Sequence, residues 1–302
     1  MKTSHFLKLL TATAVIIGFT FTSCKKDKKE EEPDKDTVAA SDNSYVENLS
    51  NDIDNIGDQA GNSQTGGSLS TYKLINPQNS ILSTCATITL FKADSLNVDS
   101  VLVDFGTTNC VCNDGKIRNG QLLYTYSGGK HYRDSGIVIT CTPINYNVEG
   151  NQVSGNRTIT NKGRINGNFN WEINANITVI KANNGGTVTW NCTRTKILLN
   201  TSTVYSGPAN PINWPQAKIG ITGSANGTTA AGNAYTVTVT NQLVRDFTCT
   251  PNTAQPHRHP FIQGSMEFAP SGKPIRYIDF GSGTCDLNAT VTINGVSHPI
   301  VL

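Results

Sequence analysis

Few residues of this chain have the type and spacing that chemistry needs, and each has a plain structural reading beside the chemical one. His257-Arg258-His259 is the one histidine cluster. Alternate residues of a strand share a face, so His257 and His259 have the spacing of a zinc pair; Pro256 and Pro260 bracket them, which favours an exposed loop. Asp104 and Asp279 occupy equivalent places in a repeat, where each carboxylate suits a hydrogen bond to the amides of the following turn better than catalysis. Asn113, Asp114 and Asp134 carry oxygens of the calcium-binding type without the spacing of a calcium loop. Trp171 and Trp190 fall on alternating strand patterns and read as core. Trp214, in Asn213-Trp214-Pro215, reads as a loop and is the candidate ligand-binding residue, because an indole face suits a sugar ring. G-x-S-x-G, H-E-x-x-H, Walker and dinucleotide fingerprints are all missing. We therefore expect no catalytic residue, no metal site and no cofactor, and prefer a structural or ligand-binding role to an enzyme.

Seven of the eight cysteines lie in the body of the chain. Outside the inner membrane, thiols tend to pair. The repeat described below suggests disulfides Cys249–Cys285 and Cys85 with Cys110 or Cys112. Cys141–Cys192 is a further pairing, which leaves one thiol over. At Cys110-Val111-Cys112 the single intervening residue is shorter than a zinc knuckle, and no histidine follows until His131.

The N-terminus carries an address. Lys2 and Lys8 precede the apolar run Leu9 to Phe19, too short for a bilayer span of about 20 residues and of signal-peptide form. It ends in Phe21-Thr22-Ser23-Cys24, which resembles the lipobox of bacterial lipoproteins. That resemblance implies removal of 1–23 and lipidation of Cys24, with several acyl chains giving durable anchoring without a spanning helix. Eleven of the twelve residues from Lys25 to Asp36 are charged, so this segment is expected to be a solvated tether, reaching up to about 40 Å. A charged segment after the lipid-bearing cysteine also resembles the surface-export signals of Bacteroidota lipoproteins, which implies outer-membrane anchoring with exposure at the cell surface.

The elements that must position these residues are mostly strands. Thr (37), Asn (33) and Gly (27) favour strands joined by tight turns over helices. One short amphipathic helix is expected between Ser41 and Ala60, with Val46, Leu49, Ile53, Ile56 and Ala60 at helical spacing, Asp42 or Ser44 as N-cap and Gly57 near its end. Beyond it the chain alternates with period two: Ile173, Ala175, Ile177 and Val179 face one way, as do Tyr235, Val237 and Val239. The pattern D-F-G-x3-C-x8-N-G occurs twice, at Asp104 to Gly120 and Asp279 to Gly295, every position offset by 175 residues. Each copy reads as strand, glycine turn and return strand ending in an Asn-Gly hairpin.

The fold class follows: all-β, two related antiparallel meander or sandwich-like modules after a tether and one helix. The expected segments are a signal peptide (1–23), an anchored tether with the helix (24–72), a first module (73–205) and a second (206–302). The removal of Lys2 and Lys8 leaves as many bases as acids, and with no basic stripe a nucleic-acid partner is not expected.

Val103 to Gly120, Tyr126 to Gly136 and Asp279 to Leu287 together resemble a group of uncharacterised Bacteroidota outer-membrane and surface lipoproteins with D-F-G-x3-C motifs, over about Thr71 to Leu302. Asn119 and Gln121 stand where that group tends to be more basic. The resemblance implies an exported, lipid-anchored β-rich protein and no particular activity. The expected partners are the membrane, through the N-terminal lipid, and a glycan if the tryptophans are exposed. A glycan-active hydrolase, with two carboxylates in a groove, is the alternative.

Overall fold

A computed structural model describes residues 38–62, 71–72, 81–92, 98–127, 134–207, 212–251 and 259–301. Residues 1–37, which hold the expected signal peptide, Cys24 and the charged run after it, lie outside the described residues. The first element is helix α1 (Val38–Asn62). Strands β1 (Thr71–Tyr72), β2 (Thr87–Lys92), β3 (Val98–Asp104), β4 (Cys110–Val111), β5 (Ile117–Tyr126), β6 (Val138–Val148), β7 (Asn151–Ile165), β8 (Asn168–Ile180) and β9 (Thr187–Leu198) follow. A one-turn helix α2 (Thr201–Val204) and a 3-10 turn at Trp214–Gln216 lead into β10 (Lys218–Thr228), β11 (Ala234–Asp246) and β12 (Phe261–Pro270). The described residues end with β13 (Arg276–Ser282), β14 (Asn288–Ile293) and β15 (Val296–Val301). The protein is thus mainly antiparallel sheet, as its Thr/Asn/Gly composition requires.

All the strands belong to one sheet. Each pairs antiparallel with the next, except that β3 pairs β5 and the short β4 joins β5 from the side. The sheet runs unbroken across the 205/206 boundary: β9 pairs β10 from Leu198 opposite Ile219 to Thr189 opposite Thr228. The alternation anticipated in β8 is present, with Ile173, Ala175, Ile177 and Val179 all buried. One inward row crosses the sheet as Tyr124, Cys141, Arg157, Ala175, Cys192, Ala225, Val237 and Phe268. One outward row is neutral and polar, running Asn156, Asn176, Asn191 and Asn226 on four successive strands.

The sheet curls around α1. Side chains from β5, β7, β9, β11 and β12 all reach the helix: Tyr124 Oη donates to the Ile53 carbonyl, Arg157 reaches Ser50 and Asp54, and Asn43 donates to Met266 Sδ. Arg194 reaches Glu47 and Arg245 reaches Asn48. The helix is longer than its apolar spacing predicted, and its polar side is largely buried too. Asp42 does not cap it. That residue lies in the second turn, accepting hydrogen bonds from Lys181 Nζ and the Ala230 amide. Nor does Gly57 end it: a Cβ there would sit 2.5 Å from Tyr124 Cε1, so glycine is what allows the ring to close on the helix. Burial of Val46, Leu49, Ile53 and Ile56 contributes about 1.5–3 kcal/mol each.

The two copies of the repeat fold alike at their turns and differ at their ends. Gly106 N–H donates to Asp104 Oδ1 at 2.7 Å and Gly281 N–H to Asp279 Oδ1 at 2.8 Å, with both glycines at positive φ. Phe105 and Phe280 are buried behind those turns. Asn294-Gly295 makes the β14–β15 hairpin, as expected. Asn119-Gly120 does not make a hairpin: it lies inside β5, at a bulge where the register against β6 shifts between Asn119 and Gln121. There a Cβ on Gly120 would stand 2.1 Å from the Asn145 carbonyl oxygen, so the glycine answers a close strand approach.

Candidate functional site

The structure disperses most of the residues that the sequence marks for chemistry. Disulfides join Cys85 to Cys110 and Cys249 to Cys285, one beside each copy of the repeat. Cys112, Cys141 and Cys192 are buried free thiols. Cys141 and Cys192 do not pair, because β7 and β8 stand between them, with Arg157 and Ala175 filling the row. Three strand spacings put their Cα atoms about 14 Å apart, twice what a disulfide spans. Burial pushes both thiols up to about 12.

Trp214 is no stacking platform. It is 8% exposed, and Trp171 and Trp190 are buried as well. Trp171 and Trp214 have ring centroids 6.1 Å apart, and Lys196 Nζ lies 5.0 and 5.4 Å from the two rings. The loop holding Trp214 folds into a 3-10 turn that lays the indole over the sheet interior, on the lysine that pairs with Asp58. His257 lies outside the described residues. His259 donates through Nδ1 to the Cys249 carbonyl at 2.9 Å, edge-on to Phe247. Asn113 donates to the Leu82 carbonyl and Arg118 grips Asp114 through both carboxylate oxygens. Among the described residues no group of three His, Cys, Asp or Glu side chains could hold a metal ion. No described helix is long and apolar enough to cross a membrane.

Charge instead gathers at the helix. Five acids and no Lys or Arg occur on α1, and each acid meets a base from the surrounding chain. Asp42 pairs with Lys181 at 2.7 Å, Glu47 with Arg194 at 2.6 Å and Asp58 with Lys196 at 2.9 Å. Asp52 pairs with Lys116 and Asp54 with Arg157. In the fully buried pairs, Glu47–Arg194, Asp54–Arg157 and Asp58–Lys196, Coulomb attraction gains roughly what desolvation costs. For Asp58, burial outweighs the attraction of Lys196 and raises the carboxyl above its ordinary range. Sequence reasoning missed this layer, although a signal was present. Arg194 and Lys196 stand in the apolar phase of β9, in step with Trp190, Cys192 and Leu198.

One stripe of α1 escapes the sheet. Ser41, Tyr45, Asn48 and Asp52 recur every three or four residues, share a face, and are exposed or half-buried. A cavity of about 390 Å3 lies along this stripe, within the size range of small-molecule sites. One wall is the turn Asp114–Lys116 with Val148 and Glu149; the other is Arg245, Pro260 and the last strand, Ile300 and Val301. The cavity thus sits where the two flanks of the curled sheet face each other across the helix. Its acids are engaged. Asp52 and Asp114 lie 3.8 and 2.6 Å from Arg118 Nη2, and Glu149 Oε1 accepts from the Ile117 amide at 2.6 Å.

Arg245 is the exception. It is 4% exposed, its Nη2 donates to Asn48 Oδ1 at 2.8 Å, and its guanidinium lies 5.0 Å over the Phe261 ring. Its Nε has no hydrogen-bond partner, and among the described residues no carboxylate is within ion-pairing distance. Burial pulls this guanidinium down to about 10, with Glu47 and Asp54 offsetting part of the effect from further away. Ser44 Oγ, on the same cavity wall, is also buried and unpartnered. No family model, curated protein or solved structure matches the chain.

Proposed function

We propose that this protein is a lipid-anchored, non-enzymatic binding protein of the cell envelope, holding a small ligand in the cavity beside α1. The observation that carries the binding reading is the combination of that cavity with a buried arginine in its lining, Arg245, that has no ion-pair partner among the described residues. Binding is favoured over hydrolysis because the neighbouring carboxylates are already committed. Asp52 and Asp114 converge on one guanidinium, and Lys116 adds a second cation. A glycosidase needs one carboxyl able to hold a proton beside one that stays ionised, and two cations oppose that division.

Support for the anchoring comes from the lipobox-like Phe21-Thr22-Ser23-Cys24 and the charged run behind it. The two disulfides suit an oxidising compartment. The test is mass spectrometry of the protein purified from membranes, with and without reduction. The expected result is an N-terminal acylated Cys24, with Cys85–Cys110 and Cys249–Cys285 linked. An unmodified Cys24 in an intact leader would overturn the anchoring, and reduced cysteines at those four positions would overturn the compartment.

A further inference from the structure

We infer that the cavity takes a small organic anion, a carboxylate on an apolar body, with the Arg245 guanidinium as its anchor; this rests on the binding reading above and names its ligand class. A guanidinium presents five donors and one positive charge, and a buried one is ordinarily met by a carboxylate or several carbonyls. The five acids of α1 are matched to Lys181, Arg194, Lys116, Arg157 and Lys196. Arg245 reaches the same helix but finds a neutral amide, Asn48, and an aromatic face. Among the described residues it is a buried cation on a cavity wall without a counter-ion. A bound anion would complete the pattern that the acids of the helix follow, each charge met by its opposite.

The walls narrow the class further. Asp52, Asp114 and Glu149 line the same cavity, and a doubly charged phosphate there would face three carboxylates. A single carboxylate matches the planar fork of one guanidinium. Leu49, Val148, Pro260, Ile300 and Val301 supply apolar surface for the rest of the ligand. The structure therefore favours a monocarboxylate with a short hydrocarbon body over a sugar or a phosphate.

Octanoate, octanamide and octylamine are suitable probes, alike in body and different in head-group charge. Each is titrated calorimetrically at pH 7 into the full mature chain and into two variants. Arg245→Met removes the anchor while retaining a side chain able to pack on Phe261. Ile300→Trp fills the cavity from the half-buried last strand and leaves the ion pairs of α1 intact. The expected result is that octanoate binds about tenfold or more tightly than either control, as a charge-assisted pair requires. Both variants should abolish that preference, Ile300→Trp by blocking all binding. Equal binding of octanoate and octanamide, or tighter octylamine, with Ile300→Trp still blocking it, would overturn the anion while leaving the binding reading in place. If Ile300→Trp changes binding of none of the probes, or none binds, both are overturned.

Discussion

Glu47 on α1 and Arg194 on β9 meet at 2.6 Å with each side chain 2% exposed, in the interior of a curled sheet. Arg194 Nε and Nη1 have no further partner, so this one contact carries nearly all the compensation for a buried charge. Glu47→Ala should therefore cost about 3–5 kcal/mol, because the arginine is left unpaired. The double variant Glu47→Leu with Arg194→Met should recover most of that loss, since apolar side chains of similar volume need no counter-charge. Chemical denaturation of the two single variants and the double variant measures the coupling. A double variant as unstable as the sum of the singles would contradict the assignment.

Gly57→Ala is a second case in which local preference and packing disagree. In an isolated helix the change favours folding by about 1 kcal/mol. Here the added methyl would press on the Tyr124 ring, whose hydroxyl is tied to the Ile53 carbonyl. Overpacking of this kind costs about 1–3 kcal/mol, so the net effect should be a loss of up to about 2 kcal/mol relative to the parent. A raised melting temperature would show that the ring can move away.

Asp246 makes part of the acid sensitivity. Burial acts to raise its carboxyl, but hydrogen bonds from Thr248 and Lys218 and the Lys218 charge outweigh it and hold the group below its ordinary value. For a carboxyl depressed in the fold, the unfolded chain binds the proton more tightly. Its contribution is then full above about pH 4 and is lost as pH falls through the folded value. Asp246→Asn should be less stable than the parent at pH 7, and the gap should close as the pH approaches 2. Melting curves of both proteins across that range decide it; a gap that widens in acid would reverse the sign.

The free thiols should be silent in the native state. Thiolate is the reactive form, and burial raises Cys112 and carries Cys141 and Cys192 to about 12. Iodoacetamide at pH 8 should leave all three unmodified in the folded protein and alkylate them in denaturant without reductant. Peptide mapping separates them from Cys24 and from the four disulfide-linked cysteines. Rapid native labelling of Cys141 or Cys192 would show that the β6–β9 region opens.

The sequence makes the strands legible because the alternation is regular: Ile173 to Val179 identifies the inward face of β8 without any knowledge of its neighbours. The Asp104 and Asp279 turns are equally local, a carboxylate and an amide two residues apart, and the duplicated cysteines mark two pairings. What the sequence obscures depends on contacts between distant segments. Asp42 satisfies the local pattern of an N-cap and is used by Lys181, 139 residues away. Asn119-Gly120 has the composition of a hairpin and serves as a bulge, because Asn145 of the neighbouring strand comes close. Trp214 looks exposed beside Pro215, yet an interior lysine draws it in. The cavity is least legible of all, since Arg245, Ser44 and Ile300 come from three remote segments.

The central position of α1 also has a temporal consequence. The helix leaves the ribosome before every strand that will enclose it, and its bond from Asn43 to Met266 closes across 223 residues. At elongation rates of about 5–20 residues per second, that interval is of the order of 10–45 s. Until the basic partners of its acids, Lys116 through Lys196, are made within that interval, the helix has no ion-pair partner from the sheet. Five unmatched negative charges keep such a segment hydrated and make it repel other nascent copies of itself. The acids that later become buried ion pairs thus first serve as a solubility tag, consumed when the sheet closes.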